Sequence, residues 1–410
     1  MDSSCQIGSK SLYQRVPVNA HRSPETPRLL VDISELIQHD AQSGIQRVTK
    51  SILLAWTLAP PQGYQVVPVY DIDGVYRYAY RFFDIDEANK KDLLKNEIVE
   101  GNKGDIFFGL DLNFSVIRNQ SVFQSWHNHG VKICFMIYDL LPLLVPEMFD
   151  KELPKAFSSW LNVVADVSDL LICISQAVAD ELVHYLSQEK IIHKDSLRIT
   201  WNALGANLTH SVSESDLSKK DHDCLVFLRA RPTFLKVATL EPRKGHDQVL
   251  AAFESLWSTD IDINLVFVGK IGWNVDGLVK KLRGHPENGK RLFWLEGISD
   301  ESLEMIYSTS TCLIMASIGE GFGLPLVEAA KHNLPIIVRD IPVFREVAGD
   351  HAFYFKGRTS EDLTKVIRQW LNLHRNGSVP QSSQIPWRTW EKSAQQLMEI
   401  ILSREICASQ

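Results

Sequence analysis

The chain has 410 residues, 45% hydrophobic and 23% charged, which is length for two or three domains and apolar material for ordinary globular cores. Its net charge of −7, from 43 basic and 50 acidic side chains, argues against a dedicated nucleic-acid binder, which would show a basic excess. No stretch approaches the roughly 18 uninterrupted apolar residues of a spanning helix, and the polar tail at 1–26 lacks the apolar core of a secretory signal, so a cytoplasmic protein is expected.

In chain order, residues 28–34 read as a strand, 45–58 as a helix and 64–69 as a second strand. Short β-branched and aromatic runs at 104–109 and 131–138 read as further strands. A helical region from about Lys151 leads into a strand at 170–174, after which Ser175 is the expected N-cap of another helix. A linker region at 207–233, rich in Ser, Lys and Asp up to Asp223, interrupts the alternation. It then restarts, with strands at 234–238, 263–269, 291–295, 311–316 and 334–339, and helices at 245–257, 299–308 and 324–332.

Short, wholly apolar strands alternating with helices indicate a parallel sheet covered on both faces. The simplest architecture is α/β, with two Rossmann-like domains at 27–206 and 234–380 facing across a cleft. The segment 381–410 turns helical from about Trp387, with Trp390, Leu397, Ile400 and Ile401 spaced to pack back on the N-terminal domain. Six scattered cysteines (Cys5, Cys134, Cys173, Cys224, Cys312 and Cys407), with no Cys-x-x-Cys pair, read as buried free thiols.

Ligands of open α/β sheets bind at the carboxyl ends of strands, so loops that follow strands carry the site. The densest signal runs from Glu320 through Gly321, Phe322, Gly323, Leu324 and Pro325 to Glu328, directly after the strand at 311–316. Its glycines allow close backbone approach to a ligand, Pro325 suits the first turn of a helix, and the free amides there favour a phosphate. Read bare, the same loop could be only a strand-to-helix turn with two solvated carboxylates. A second signal, Thr239 to His246, also follows a strand and carries Arg243 and Lys244, a fork and a point charge suited to phosphate oxygens. Its bland reading is a solvated basic turn.

Together these residues resemble glycosyltransferase family 4, a retaining family with the GT-B fold, whose signature is two glutamates spaced as Glu320 and Glu328 are. The resemblance is strong over 234–355 and weaker in the N-terminal half. It implies that Glu320 lies near the transferred sugar and that the amides of Gly321, Phe322, Gly323 and Leu324 hold sugar and phosphate. Glu328 would accept from the ribose hydroxyls, and Lys244 would neutralise the leaving diphosphate. Gly297, Ile298 and Ser299 would flank the base. Many members have Gly-Arg where this chain has Ala238-Thr239, so the arginine role passes to Arg243, with Thr239 beside the donor. The paired glycines of the family's N-terminal loop appear here as Ser43-Gly44, followed by Ile45, Gln46 and Arg47, and Asp139 stands where a His-Asp pair is common. Gly44 is therefore expected at the donor and Asp139 at the acceptor.

Details around Asp139, Glu241 and the 339–346 segment resemble bacterial mannosyltransferases that build O-antigen and exopolysaccharide chains. The implied activity is transfer of a hexose, mannose from GDP-mannose first, to a glycan or lipid-linked glycan. No metal and no other cofactor is implied, and a lipid-linked acceptor would call for peripheral contact at the inner face of the membrane. A nucleotide-sugar 2-epimerase and a non-catalytic nucleotide-sugar-binding or scaffold protein share the architecture and stand as alternatives. The Asp-x-Asp strings at Asp71–Asp73, Asp84–Asp86 and Asp260–Asp262 fall in turns or before a strand, away from the donor loop. His127 and His129 read as a solvated loop, and Trp273 is placed either in the core or at the cleft.

Overall fold

The computed structural model of the chain describes residues 26–39, 43–79, 97–206 and 228–403. The expected tail, except its last residue, most of the expected linker and the Asp84–Asp86 string lie outside the described residues.

The first sheet grows from β1 (Arg28–Asp32), whose Leu29, Leu30 and Val31 are fully buried because helices cover both faces. Its other strands are β2 (Gln65–Ile72), β3 (Val75–Tyr78), β4 (Ile106–Gly109), β5 (Lys132–Ile137), β6 (Leu170–Cys173) and β7 (Arg198–Trp201). They lie in the order β3-β2-β1-β4-β5-β6-β7. Neighbours pair in parallel except β2 and β3, an antiparallel hairpin turned by Asp73 and Gly74 at φ 52° and 83°. The expected all-parallel sheet thus gains an edge strand whose cue is a local Asp-Gly turn rather than the strand–helix alternation.

Around this sheet pack α1 (Gly44–Leu58), α2 (Gln120–Asn128), α3 (Leu153–Val167) and α4 (Gln176–Gln188). Ser175 caps α4 as expected, accepting from the Val178 amide at 3.2 Å. His127 is not in a loop: it sits in the last turn of α2, its Nε2 3.1 Å from Asp169. The helix ends at Asn128, and Gly130, at φ 80°, turns the chain toward β5.

The second sheet holds β8 (Thr233–Val237), β9 (Asn264–Val268), β10 (Leu292–Leu295), β11 (Cys312–Met315), β12 (Ile336–Arg339) and β13 (Phe353–Phe355). All are parallel, in the order β10-β9-β8-β11-β12-β13. The helices α5 (His246–Trp257), α6 (Asp276–Arg283), α7 (Asp300–Thr309), α8 (Leu324–Lys331), α9 (Pro342–Ala348) and α10 (Ser360–Arg375) complete this unit. Strand order reverses between β1 and β4 in one sheet and between β8 and β11 in the other, and a crevice opens at such switch points.

The last helix, α11 (Trp390–Leu402), returns to the first unit. Its Leu397 and Ile401 are fully buried, the Trp56 indole of α1 donates to the Ala394 carbonyl at 2.9 Å, and Arg198 of β7 donates to the Ser403 carbonyl at 2.8 Å. The chain therefore crosses between the units twice, and its exit from the first unit lies beside its return to it. The Ala206 amide donates to the Arg388 carbonyl at 2.8 Å, and a methyl group on Gly205 would stand 2.6 Å from the Trp390 backbone. Among the described residues, Cys134, Cys173 and Cys312 are buried free thiols, and no helix is long and apolar enough to cross a membrane.

Candidate active site

The loops after β8 and β11 meet at the switch point. After β8, a short 3-10 turn at Pro242–Lys244 ends on Gly245 at φ 71°, a left-handed position that suits glycine. The Arg243 carbonyl accepts from the Ile318 amide at 2.8 Å, which ties the two loops together. The result is an ion pair in which Lys244 Nζ lies 2.8 Å from each carboxylate oxygen of Glu320. Arg243 braces the pair. Its guanidinium holds Glu241 at 2.9 Å, stands 3.7 Å from Glu320 and lies over the Phe149 ring of the first unit at 5.8 Å.

Burial alone would raise the Glu320 pKa, but Lys244 and then Arg243 outweigh it and hold the carboxyl at about 2. Asp139, just past β5 in the other unit, goes the opposite way: burial pushes it above the usual carboxylate range, and Arg243 offsets this only in part. Its Oδ1 also accepts from the Leu141 amide at 3.1 Å. Four of the expected residues, Glu320, Lys244, Arg243 and Asp139, are thus electrostatically coupled across the two units.

The glycine-rich loop meets a steric demand beyond the expected one. A methyl group on Gly321 would overlap the Tyr138 carbonyl of the first unit, and the Gly321 carbonyl accepts from Ser175 Oγ at 2.7 Å. Glycine is needed there for unit-to-unit approach, a demand invisible in a segment read alone. Gly323, at φ 94°, is the N-cap of α8, where Pro325 falls in the first turn as expected.

One turn into α8, Glu328 is buried. Tyr307 of α7 donates to its Oε2 at 2.6 Å, and Arg47 of α1 donates to its Oε1. Burial first, and then Glu328, push the Tyr307 hydroxyl far up, so it remains a donor. Glu328 forms a second centre, with no contact to the Lys244–Glu320 pair. Leu324 begins α8, Phe322 is buried, and Thr239 follows β8 on the same carboxyl edge. Gly297 and Ile298 follow β10 there too, with Gly297 at φ 63° and open space around it, and Ser299 caps α7 by accepting from the Ser302 amide at 3.2 Å. Gly44, also in open space, begins α1 behind a Ser43–Gln46 capping box.

Trp273 resolves to the cleft: its indole donates to the Met148 carbonyl at 3.0 Å and its ring stacks on Phe149 at 5.7 Å, bridging the units. Sequence reasoning missed Arg47, Tyr307 and Glu346. The two oxygens of Glu346 on α9 each accept at 2.8 Å from amides of Gln176 and Ala177 at the start of α4. Arg47 had one local cue, a cation in the first turn of a helix where the dipole disfavours it. Tyr307 and Glu346 had none, since their partners lie on other elements. Of the Asp-x-Asp strings, Asp71 is not in a turn but buried within β2, where it accepts from Asn119 at 2.9 Å, while Asp262 pairs with Arg231 at 2.7 Å and Asp260 sits in a turn at φ 56°. Among the described residues, no three His, Cys, Asp or Glu group closely enough to hold a metal ion.

Comparison with known proteins adds the family. Residues 220–379 match the family described as glycosyl transferases group 1. The chain is 42% identical over 403 residues to the serotype-specific mannosyltransferase WbdA of Escherichia coli, covering 97% of this chain and 48% of that protein. It is 23% identical over 265 residues to O-antigen chain mannosyltransferase B of Escherichia coli, covering 61% of this chain and 65% of that one. The chain spans about half the length of the first curated relatives it matches. Among solved structures, Anabaena Alr3699/HepE in complex with UDP and glucose superposes with a TM-score of 0.63 at 14% identity, covering 92% of this chain and 99% of that one. Sucrose-phosphate synthase from Thermosynechococcus elongatus does so with a TM-score of 0.63 at 15% identity, covering 92% and 98%. At such identities these two likenesses establish the fold alone. The chain has the GT-B fold, its residues 220–379 match the group 1 glycosyl transferases, and over nearly its whole length it resembles the O-antigen mannosyltransferases.

Proposed function

We propose that this chain is a metal-independent, retaining hexosyltransferase that moves mannose from GDP-mannose onto a glycan or lipid-linked glycan in bacterial surface polysaccharide synthesis. The observation that carries the reading is the Lys244–Glu320 pair, held at the switch point of the second sheet and coupled to Asp139 of the first. The names of the relatives, mannosyltransferases of O-antigen or serotype, support the sugar and the kind of product.

The chemistry asks for positioning and charge stabilisation more than for a protein nucleophile. The acceptor hydroxyl oxygen bonds to the sugar's anomeric carbon on the face from which the diphosphate departs. As the bond from that carbon to the diphosphate oxygen breaks, the diphosphate keeps the electron pair and one of its oxygens takes the hydroxyl proton. Lys244, braced through Arg243 and Glu320, meets the growing charge of the leaving diphosphate, and Asp139 orients the acceptor. Closing the units over the donor excludes water and suppresses hydrolysis. With a lipid-linked acceptor, the protein works in the cytoplasm against the inner face of the membrane.

The test is a thermal-shift and donor-hydrolysis panel of GDP-mannose, other GDP-sugars, UDP-sugars and dTDP-sugars, with and without a chelator. Stabilisation and slow hydrolysis with GDP-mannose, unchanged by chelator, is the expected result. A response confined to another sugar nucleotide reassigns the donor, and loss of the response in chelator overturns metal independence. No response to any sugar nucleotide sinks the transferase reading.

A further inference from the structure

The Arg47–Glu328 contact joins residues 281 positions apart and links the two units. Arg47 lies in the first turn of a 15-residue helix, where the macrodipole disfavours a cation, so its place there needs a compensating partner. That turn is held firmly. Ser43 Oγ accepts from the Gln46 amide at 3.2 Å, the Gln46 side chain accepts from the Ser43 amide at 3.3 Å, and the Gln46 amide group also donates to the His39 carbonyl. Arg47 therefore leaves a fixed backbone, and its side chain, 40% exposed against 11% for Glu328, reaches from the cleft rim to a largely buried carboxylate.

Glu328 receives one donor per oxygen. Tyr307, buried and stacked flat on His332 at 5.7 Å, binds Oε2 from the second unit, and Arg47 binds Oε1 from the first. A carboxylate offers about four lone-pair sites. Two are taken, which fixes the rotation of the group, and two remain on a carboxylate locked between the units.

We infer that Arg47 is a positioning residue for nucleotide recognition, which presents Glu328 to the ribose diol and makes ribose binding depend on contact between the two units. The inference rests on the transferase reading and extends it by giving the acceptor-side unit a part in reading the donor's nucleotide. A purely structural Arg47 would affect all ligands alike. A positioning Arg47 affects only those that carry the diol.

Calorimetric titration of the full chain with GDP and with 2′,3′-dideoxy-GDP separates these cases. For Arg47→Ala the affinity for GDP should fall about tenfold or more, the scale of one charge-assisted hydrogen bond. Its affinity for the dideoxy nucleotide should match that of wild type. Arg47→Lys, which keeps the charge but not the fork, should recover only part of the loss and serves in place of the alanine variant should that one melt early. Equal losses on both nucleotides, unchanged GDP affinity, or a wild type that binds the two equally would overturn the inference and leave the transferase reading standing. If wild type binds UDP instead, the same cycle is run with UDP and its 2′,3′-dideoxy form, whereas a wild type that binds only dTDP, whose sugar has no 2′-hydroxyl and hence no diol, overturns the inference. Failure of wild type to bind any of the three removes the transferase reading and this inference with it.

Discussion

Lys244 stands symmetrically against Glu320, 2.8 Å from each carboxylate oxygen, so two of its three N–H donors are committed and one is left to point elsewhere. A single cation so placed should carry much of the charge stabilisation at a leaving diphosphate. Lys244→Ala and Glu320→Ala are each expected to lower kcat/KM for transfer at least ~100-fold. Because the two act as a unit, the double variant should fall far short of the product of the single losses. Steady-state kinetics with the identified donor checks this, and near-wild-type rates in both single variants would remove the pair from the chemistry.

Gly321 tests whether approach of the units is itself functional. A methyl group there collides with the Tyr138 carbonyl across the cleft. Gly321→Ala should therefore push the donor loop away from Asp139, and a displacement of about 1 Å at a reacting centre costs on the order of 100-fold. The expected outcome is that loss in kcat/KM with a melting temperature close to wild type. An equally active variant would mean that the loop adjusts without cost.

The glycine also marks how far the sequence could be read. Alternation of apolar strands with helices was enough for two α/β units, for Ser175 as a cap and for both loops of the site, because each is a local pattern. The hairpin strand Val75–Tyr78 escaped because its cue was a two-residue turn, and the whole of α2 because Phe123 and Trp126 are its only two buried residues. What makes the residue at 321 a glycine, what reaches Glu328 from the first unit and what Glu346 adds at the start of α4 are contacts between segments more than a hundred residues apart. No window of sequence contains both partners.

Glu346 supplies a prediction of stability rather than chemistry. Its oxygens cap the first amides of α4 from the opposite unit, adding a negative charge where a helix favours one. Glu346→Ala should cost about 1 kcal/mol in chemical denaturation and speed amide hydrogen exchange at Gln176 and Ala177. Unchanged exchange at those two amides would mean that the contact is not kept in solution.

The pH dependence of stability should have two limbs. Burial pushes Asp111 up to about 7 and Asp32 up to about 6, offset in part by bonds from the Leu36 amide and from Ser34. Carboxyls raised in the folded state bind protons on folding, so the cost they impose at high pH is relieved as pH falls through those values. Glu320 has the opposite sign: held at about 2 against an ordinary 4.5, it contributes stability above 4.5 that is lost as pH falls toward 2. Melting temperature should rise from pH ~8 to a maximum near pH ~5 and then drop. Asp111→Asn should flatten the alkaline limb, and a wild-type profile that is already flat there would contradict the assignment.

The chain leaves the first unit at Ala206 and returns to it at Arg388, and these two segments lie against each other, close enough that Gly205 has no room for a methyl group beside Trp390. Two tethers joined at one line behave as a door hinge rather than as a string. Segments pinned together at that line favour a swing of the units over swivelling or sliding, the kind of closure that would return Lys244 and Asp139 to the same register without a search. Were the crossings unzipped, for instance by a bulky residue at 205, the motion would gain a twisting freedom, and the cleft would close in many wrong ways for each right one.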